Sequence, residues 1–216
     1  MYLIFFLSVV QGVTEFVPIS SSSHLIILSR YFDFENNGIL IDVSLHIGSF
    51  IAVITFFYRD LINFFQDKRL FLKIVIASLP VMIVGFFLVE FNVINKIRNI
   101  ETIAWTTFIF GILLYISDRF KVEKNINDNF DFKSVLLIGF MQILSLVPGV
   151  SRSGIAITAA RLLNFKRTEA AKISFLISIP ILGAVTFFGL KNLFFSESIE
   201  FLKLNLLSII ISFIFS

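Results

Sequence analysis

An acid, a row of hydroxyls and an imidazole lie within one short segment of an otherwise apolar chain. The segment TEFVPISSSSHLIIL, residues 14–28, contains Glu15, four consecutive serines and His24. A carboxylate, hydroxyls and an imidazole are the groups from which proteins build an activated nucleophile. Gln11 and Glu15 are four residues apart, so a helix would place both on one face. The pattern predicts a reactive centre, although the serines alone are typical of a capped helix start.

A second polar segment, PGVSRSG at residues 148–154, interrupts another apolar run. Its two glycines allow a tight turn or a close approach of the backbone to a ligand. Arg152 is a lone basic residue in a long apolar stretch, and its planar guanidinium suits phosphate. The alternative is a structural ion pair with Glu15 or another acid. The candidate binding residues beside Arg152 are Ser151, Ser153 and Gly154, with Gly149 at the turn.

Two further polar groups have weaker patterns. Asp42 and His46 are four residues apart and share a helix face. Two ligands are too few for a metal site, and a supporting role or helix–helix hydrogen bonding explains them equally well. The second group follows the PGVSRSG segment and is typical of a solvated face at the lipid headgroups. It comprises Arg161, Lys166, Arg167 and Glu169.

The composition predicts an all-α polytopic membrane protein with a single domain, residues 1–216. Of the 216 residues, 57% are hydrophobic and 15% charged, with a mean hydropathy of +0.93. A soluble protein of this size could not bury so much apolar surface. The net charge of +3 comes from basic residues scattered between apolar runs, so we expect no nucleic-acid partner. The absence of cysteine excludes disulfides and cysteine nucleophiles, and the first residues do not resemble a cleaved signal peptide.

The apolar runs divide into continuous and broken ones. About 20 apolar residues are needed to span a bilayer, and the halves of the broken runs are too short to do so. Each broken run is therefore predicted to be a re-entrant helix pair. The chain ends inside a further apolar run, so we expect the natural protein to continue beyond it. The continuous runs are 38–58, 71–91, 102–117 and 170–190, and the broken ones are 1–32 and 134–163.

The two broken runs are similar to each other. QGVTEFVPISSSS begins at Gln11 and QILSLVPGVSRSG at Gln142, and each has Gln, an apolar stretch, Pro and serines. Basic residues after 38–58 and 102–117 place those loops in the cytoplasm, so the broken runs enter from opposite faces. This predicts two inverted repeats, about 1–117 and about 134–216, the second lacking a final helix, whose breaks meet near the midplane. Two helix N-termini and an arginine there would favour an amphiphile with a phosphate head.

The motifs QGVTEFVPISSSSH and PGVSRSG resemble the signature motifs of the undecaprenyl-pyrophosphate phosphatases of the bacitracin-resistance (BacA/UppP) type. IDVSLHIGSFIAVITFFYRDL and AAKISFLISIPILGA are also similar to that family, so the resemblance covers essentially the whole chain. It implies a multi-pass enzyme of the bacterial inner membrane that hydrolyses the terminal phosphate of undecaprenyl diphosphate. The product is the lipid carrier for export of cell-wall precursors. The resemblance further implies a divalent cation, Mg²⁺ or Ca²⁺, without an organic cofactor, and leaves a homodimer open.

Within that resemblance, the family's functional groups match residues of both polar segments. Glu15 matches the second acid of the first motif, and Gln11 takes the place of the first, which is Glu or Gln in the family. Ser23 stands where the family has Gly, and Ser adopts a positive φ at a greater cost. The remaining matches are Ser20 and Ser21 with the serine pair, Ser22 with a position often occupied by Thr, His24 with the histidine and Arg152 with the arginine.

The resulting hypothesis is a phosphoryl transfer. Ser21 attacks the terminal phosphorus, while Arg152 and the helix N-termini hold the phosphoryl oxygens. Glu15 and His24 serve as base, orienter or leaving-group acid without individual assignment, and attack by a water that they hold would use the same residues. Glu15 would also share a cation with the diphosphate. The residues expected to bind substrate are Gln11, Ser22, Ser151, Ser153 and Gly154.

Two other functions stay open from the sequence. A transporter that flips the lipid monophosphate would use the same inverted repeats and the same arginine, but not the nucleophile and base. A non-catalytic lipid-binding or scaffold protein would need neither. Release of inorganic phosphate from a prenyl diphosphate distinguishes the phosphatase from both alternatives.

Overall fold

Helices make up about 85% of the residues that the structure describes. The part of the chain that the structure describes contains no strand, so the predicted all-α class is confirmed. The computed structural model describes residues 2–32, 38–91, 93, 97–120, 124–194 and 199–216.

The helices follow one another through short connections, and a 3₁₀ turn at Ile143–Leu146 continues α8 directly. Their bounds are Tyr2–Thr14 (α1), Ser21–Tyr31 (α2), Gly38–Phe56 (α3), Tyr58–Gln66 (α4), Lys68–Glu90 (α5), Ile100–Asp118 (α6), Ile126–Asn129 (α7), Phe132–Gln142 (α8), Arg152–Leu162 (α9), Arg167–Phe194 (α10) and Ile199–Phe215 (α11).

Several of these helices are long and apolar enough to cross a membrane. Lys68–Glu90, Ile100–Asp118 and Arg167–Phe188 each meet this condition alone. Helices α3 and α4 meet it together, with a bend of 79° between them. The four continuous runs predicted from the sequence all lie in these helices, and the chain is a multi-pass membrane protein.

Polar caps explain where several helices begin. The side chain of Asp67 accepts hydrogen bonds from the backbone N–H groups of the first turn of α5. Asn99 does the same for Thr102, so α6 starts before the predicted apolar run at 102. Asp131 caps α8, and hydrogen bonds from the hydroxyl and N–H of Ser134 hold the pKa of Asp131 below its usual value.

One compact unit comprises residues up to 15, 21–63 and 181–216, and α3 packs along α11 within it. Helix α1 packs against α11, α2 and α3. Gly48 permits close approach of α3 and α11, because a Cβ there would lie 2.4 Å from the Ile209 carbonyl oxygen. The apolar centre of α1, α2 and α3 consists of Leu7, Leu25, Ile41 and Leu45.

Hydroxyl and amide groups join α3 to α11 on both sides of Gly48 along α3. Ser44 Oγ donates to Asn205 Oδ1 at 2.9 Å. Ser49 Oγ and Ser212 Oγ are 3.1 Å apart. Within an apolar surrounding, such buried hydrogen bonds hold helices together without a hydrophobic driving force. The position of α3 therefore depends on several contacts along its length.

A second compact unit comprises residues 16–20 and 64–180. In it α5 packs against α8, and α6 packs against α9. Arg161 joins the ends of α6 and α9: its Nη1 donates to the Phe165 carbonyl at 2.9 Å and its Nη2 to the Asp118 carbonyl at 2.6 Å. Arg161 is only 3% exposed, so the prediction that it lies on a solvated face is wrong. The backbone carbonyls and the Asp118 carboxylate satisfy its charge inside the protein.

Candidate active site

Glu15 lies directly after α1 and is held by a residue one turn earlier. Gln11 Nε2 donates to Glu15 Oε2 at 2.7 Å, as the spacing of four residues predicts. Gln11 is fully buried and the side chain of Glu15 is 1% exposed. Glu15 is therefore a buried carboxylate inside the first helices of the protein.

Ser21 begins α2 and faces this carboxylate. Its Oγ donates to Glu15 Oε2 at 2.9 Å. A hydroxyl within hydrogen-bond distance of a carboxylate is the arrangement in which a base can accept the proton of a nucleophile. The structure thus joins two of the residues that the sequence predicted to work together.

The other serines of the row have different surroundings. Ser20 precedes α2 and is 5% exposed, whereas Ser22 and Ser23 lie in the first turn of the helix. Ser23 has a helical backbone, so replacing the family's Gly by Ser requires no positive φ here. The concern that Ser23 would disturb the turn is therefore unfounded.

The imidazole of His46 in α3 lies next to Glu15. Its Nδ1 lies 3.2 Å from Glu15 Oε2 and 2.8 Å from Gln11 Nε2. His24, the predicted partner, is an exposed residue of α2. Sequence analysis gave His46 only a supporting or metal-binding role, although a polar residue in the middle of an apolar span is itself a functional signal.

The second polar segment turns into α9 through a serine cap. Ser151 precedes the helix, and its Oγ accepts a hydrogen bond from Gly154 N at 3.1 Å. Ser151 Oγ also lies 3.1 Å from Ser153 Oγ. Arg152 is the first helical residue and is partly buried. An arginine at a helix N-terminus combines a guanidinium with free backbone N–H groups, which together favour an anion.

Two threonines of α6 hold the turn before this cap. Thr106 Oγ1 donates to the Pro148 carbonyl at 2.6 Å, and Thr107 Oγ1 to the Gly149 carbonyl at 3.2 Å. Gly149 has a φ of +99°, which L side chains rarely adopt. Neither threonine was predicted to be important, because the sequence around a threonine in an apolar helix does not indicate which residue it will contact.

Gly149→Ala is expected to destabilise the protein by about 2 kcal/mol or more, because it adds backbone strain to a steric clash. The new Cβ would lie 1.8 Å from Thr106 Oγ1 and 2.8 Å from the Ile103 carbonyl oxygen. Thermal unfolding of the detergent-solubilised protein measures the effect. The matched control is Gly111→Ala in α6, where a Cβ meets nothing within 4 Å. A Gly149→Ala protein as stable as the control would contradict the clamped turn.

The first polar segment touches the second through its backbone. Residues 16–20 belong to the same compact unit as the PGVSRSG segment. Ser153 Oγ donates to the Val17 carbonyl at 2.9 Å. A Cβ on Gly154 would lie 3.4 Å from the Pro18 carbonyl oxygen, so Gly154 packs closely beside Pro18. The breaks in the two apolar runs are therefore in contact at these residues.

Comparison with known proteins identifies the family. Residues 4–216 match the family model described as Bacitracin resistance protein BacA. The chain belongs to the BacA family. An undecaprenyl-diphosphatase of Pelagibacter ubique is 46% identical over 214 residues, which cover 99% of this chain and 83% of that protein. Undecaprenyl-diphosphatases of Jannaschia sp. and Ruegeria sp. are 39% and 40% identical, over 88% and 82% of this chain and 76% and 71% of theirs.

The two similar segments of this BacA chain each place a buried glutamine against their own polar residues. Gln11 contacts Glu15, and Gln142 Nε2 donates to the Arg152 carbonyl at 3.4 Å. Both glutamines are fully buried. Their Oε1 atoms have no hydrogen-bond partner among the residues that the structure describes. In both segments, the glutamine of the shared Gln–Pro–Ser pattern thus donates a hydrogen bond within its own segment.

In the described part of the BacA chain, the carboxylates and histidines do not form a preformed metal-binding site. No group of three or more His, Asp and Glu side chains suited to a metal ion occurs within the described ranges. Glu15 is the candidate carboxylate, and one oxygen of it already receives contacts from Gln11, Ser21 and His46. A cation at Glu15 would need most of its ligands from the substrate and water.

Proposed function

We propose that this BacA-family chain hydrolyses undecaprenyl diphosphate to undecaprenyl phosphate and inorganic phosphate in the bacterial inner membrane. The relatives that it matches are named for this reaction. The observation that carries the proposal is the 2.9 Å hydrogen bond from Ser21 Oγ to the buried carboxylate of Glu15. A lipid carrier without hydrolytic activity would not need a hydroxyl paired with an internal base.

The first step is attack by Ser21 on the terminal phosphorus of the diphosphate. The Oγ–P bond forms as the bond from that phosphorus to the bridging oxygen breaks, and undecaprenyl phosphate leaves. Glu15 accepts the Ser21 proton through the existing hydrogen bond. Glu15 then passes that proton on to the departing undecaprenyl phosphate and is a base again. In the second step, water attacks the phosphoserine, Glu15 accepts a proton of that water, and this proton returns to Ser21 Oγ as the bond from Oγ to phosphorus breaks and phosphate departs.

Arg152 and the first turn of α9 hold the phosphoryl oxygens during both steps. The guanidinium offsets charge that develops on those oxygens, and the free N–H groups at the helix N-terminus add to this field. Ser151, Ser153 and Gly154 line the same turn and supply hydroxyls and close backbone approach. Gln11 and Ser22 complete the proposed binding residues in the first segment, and Ser20 is proposed to be catalytic together with Ser21.

His24 is proposed to act on the leaving group. It lies three residues after Ser21 on α2, so both side chains share one face of that helix. Direct attack by water held by Glu15 is the alternative chemistry, and it would leave Ser21 without a covalent role.

A divalent cation, Mg²⁺ or Ca²⁺, fits the site only if the protein and the substrate bind it together. Glu15 would hold it together with oxygens of the diphosphate, which is how Mg²⁺ is commonly bound beside phosphates. When bound, the ion would offset negative charge on the diphosphate.

The proposed architecture is two inverted repeats, each with a re-entrant helix pair. Helices α1 and α2 contain 13 and 11 residues, and α8 and α9 contain 11 each. At 1.5 Å per residue these helices are about 16–20 Å long, well short of a hydrocarbon core of roughly 30 Å. Their length and the contact between the two breaks support the re-entrant arrangement.

Phosphate release from undecaprenyl diphosphate by the purified protein tests the function. The wild type is expected to release phosphate, and a chelator of divalent cations to slow it. Ser21→Ala is expected to lower kcat by about a hundredfold or more, since the nucleophile is lost. Ser29→Ala, on the same helix, is the matched control. Tight lipid binding without phosphate release would instead favour the transporter, and full activity of Ser21→Ala would favour attack by water.

A further inference from the structure

Three polar side chains meet at one point in the first compact unit. One lies in α1, one directly after α1 and one in α3. Gln11 Nε2, Glu15 Oε2 and His46 Nδ1 form a triangle with sides of 2.7, 2.8 and 3.2 Å. The side chain of His46 is 20% exposed, whereas those of the other two are closed off from solvent. Such close spacing restricts where the hydrogen atoms can lie.

Two arrangements of those hydrogens fit the triangle. In one, Gln11 Nε2 donates to Glu15 Oε2 and to an unprotonated Nδ1 of His46. In the other, Gln11 Nε2 donates to Glu15 Oε2, and an Nδ1–H of His46 donates to the same oxygen. In both arrangements His46 fixes Glu15, either through Gln11 or directly.

The oxygen of the Gln11 amide makes no contact within the described ranges that would fix the orientation of the amide. That oxygen is buried and has no hydrogen-bond partner within the described residues. The orientation of the amide therefore depends on the two groups at its nitrogen, which are the Glu15 carboxylate and the imidazole of His46.

We propose that His46 is a positioning residue for the hydrolysis, an inference that rests on the proposed function. Its Nδ1 lies 2.8 Å from Gln11 Nε2 and 3.2 Å from Glu15 Oε2. The imidazole thereby holds the amide and the carboxylate in place, with Glu15 Oε2 facing Ser21 and able to accept its proton.

The packing of α3 does not depend on His46. Ser44 and Ser49 join α3 to α11, and Gly48 sets the close approach of these helices. Removal of the imidazole is therefore expected to leave the fold intact and to affect only the placement of Gln11 and Glu15. This separates a positioning role from a structural one.

The test compares His46→Leu with His46→Asn in the phosphate-release assay. Leucine removes the polar contact, and kcat is expected to fall by about 10- to 100-fold with KM changed by less than about threefold. Asparagine places an oxygen or a nitrogen two bonds beyond Cβ, like Nδ1, and is expected to restore kcat to within about fivefold of the wild type. Ser44→Ala is the matched α3 control, with wild-type kcat expected.

The outcomes separate the two proposals. An active wild type with an equally active His46→Leu protein, or with leucine and asparagine variants equally impaired, overturns the positioning role alone. A rise in KM with unchanged kcat also overturns it, since it would indicate substrate binding. A wild type that releases no phosphate overturns the proposed function and the inference with it. Size-exclusion profiles and thermal unfolding of each variant show whether the fold is retained.

Discussion

Arg152→Ala is expected to lower kcat/KM for phosphate release by about a thousandfold. The reason is that the guanidinium at the N-terminus of α9 is the positive side chain proposed to offset transition-state charge on the phosphoryl oxygens. Arg152→Lys keeps the charge but loses the planar, bidentate donor set, so its activity is expected to lie between those of the wild type and the alanine variant. Steady-state kinetics with undecaprenyl diphosphate measures both variants.

The control for Arg152 is Arg119→Ala, which removes an exposed arginine that contacts Tyr115 in the same compact unit. That variant is expected to keep wild-type kinetics. If Arg152→Ala retained most of its activity while binding substrate normally, the arginine would instead have a structural role. Thermal unfolding of both variants shows whether the loss of either arginine changes the stability of the protein.

Glu15→Gln is expected to reduce kcat by about a thousandfold, because an amide cannot take the proton of Ser21. Its oxygen can still accept hydrogen bonds from Gln11 and Ser21, so the local packing should be kept. Because the loss concerns the chemical step, KM is expected to change far less than kcat. Single-turnover phosphate release distinguishes this loss from slow product release.

Glu101→Gln serves as the matched control, because Glu101 is an exposed acid in the first turn of α6. It is expected to change stability by about 0.5 kcal/mol at most and to leave kcat unchanged. Wild-type turnover by Glu15→Gln would show that the carboxylate beside Ser21 is not the base. The same result would remove the reason for the positioning role of His46.

The amino-acid sequence alone determined the class of the molecule and much of its local structure. Four continuous apolar runs predicted four membrane-spanning segments, because the length and hydropathy of a helix are properties of consecutive residues. The contact between Gln11 and Glu15 followed from helical spacing, and Ser151 at the start of α9 followed from capping chemistry.

Only the tertiary structure decided which groups from distant segments surround those local motifs. Gln11 and His46 are 35 residues apart in the chain, and Thr106 and Pro148 are 42 apart. Arg161 became an internal clamp because carbonyls of another helix end lie within its reach. Periodicity and propensity describe neighbours along one helix, whereas these contacts depend on how helices pack. For that reason the pairing of Glu15 with Ser21 could be predicted from one segment, whereas the contact of His46 with Glu15 could not.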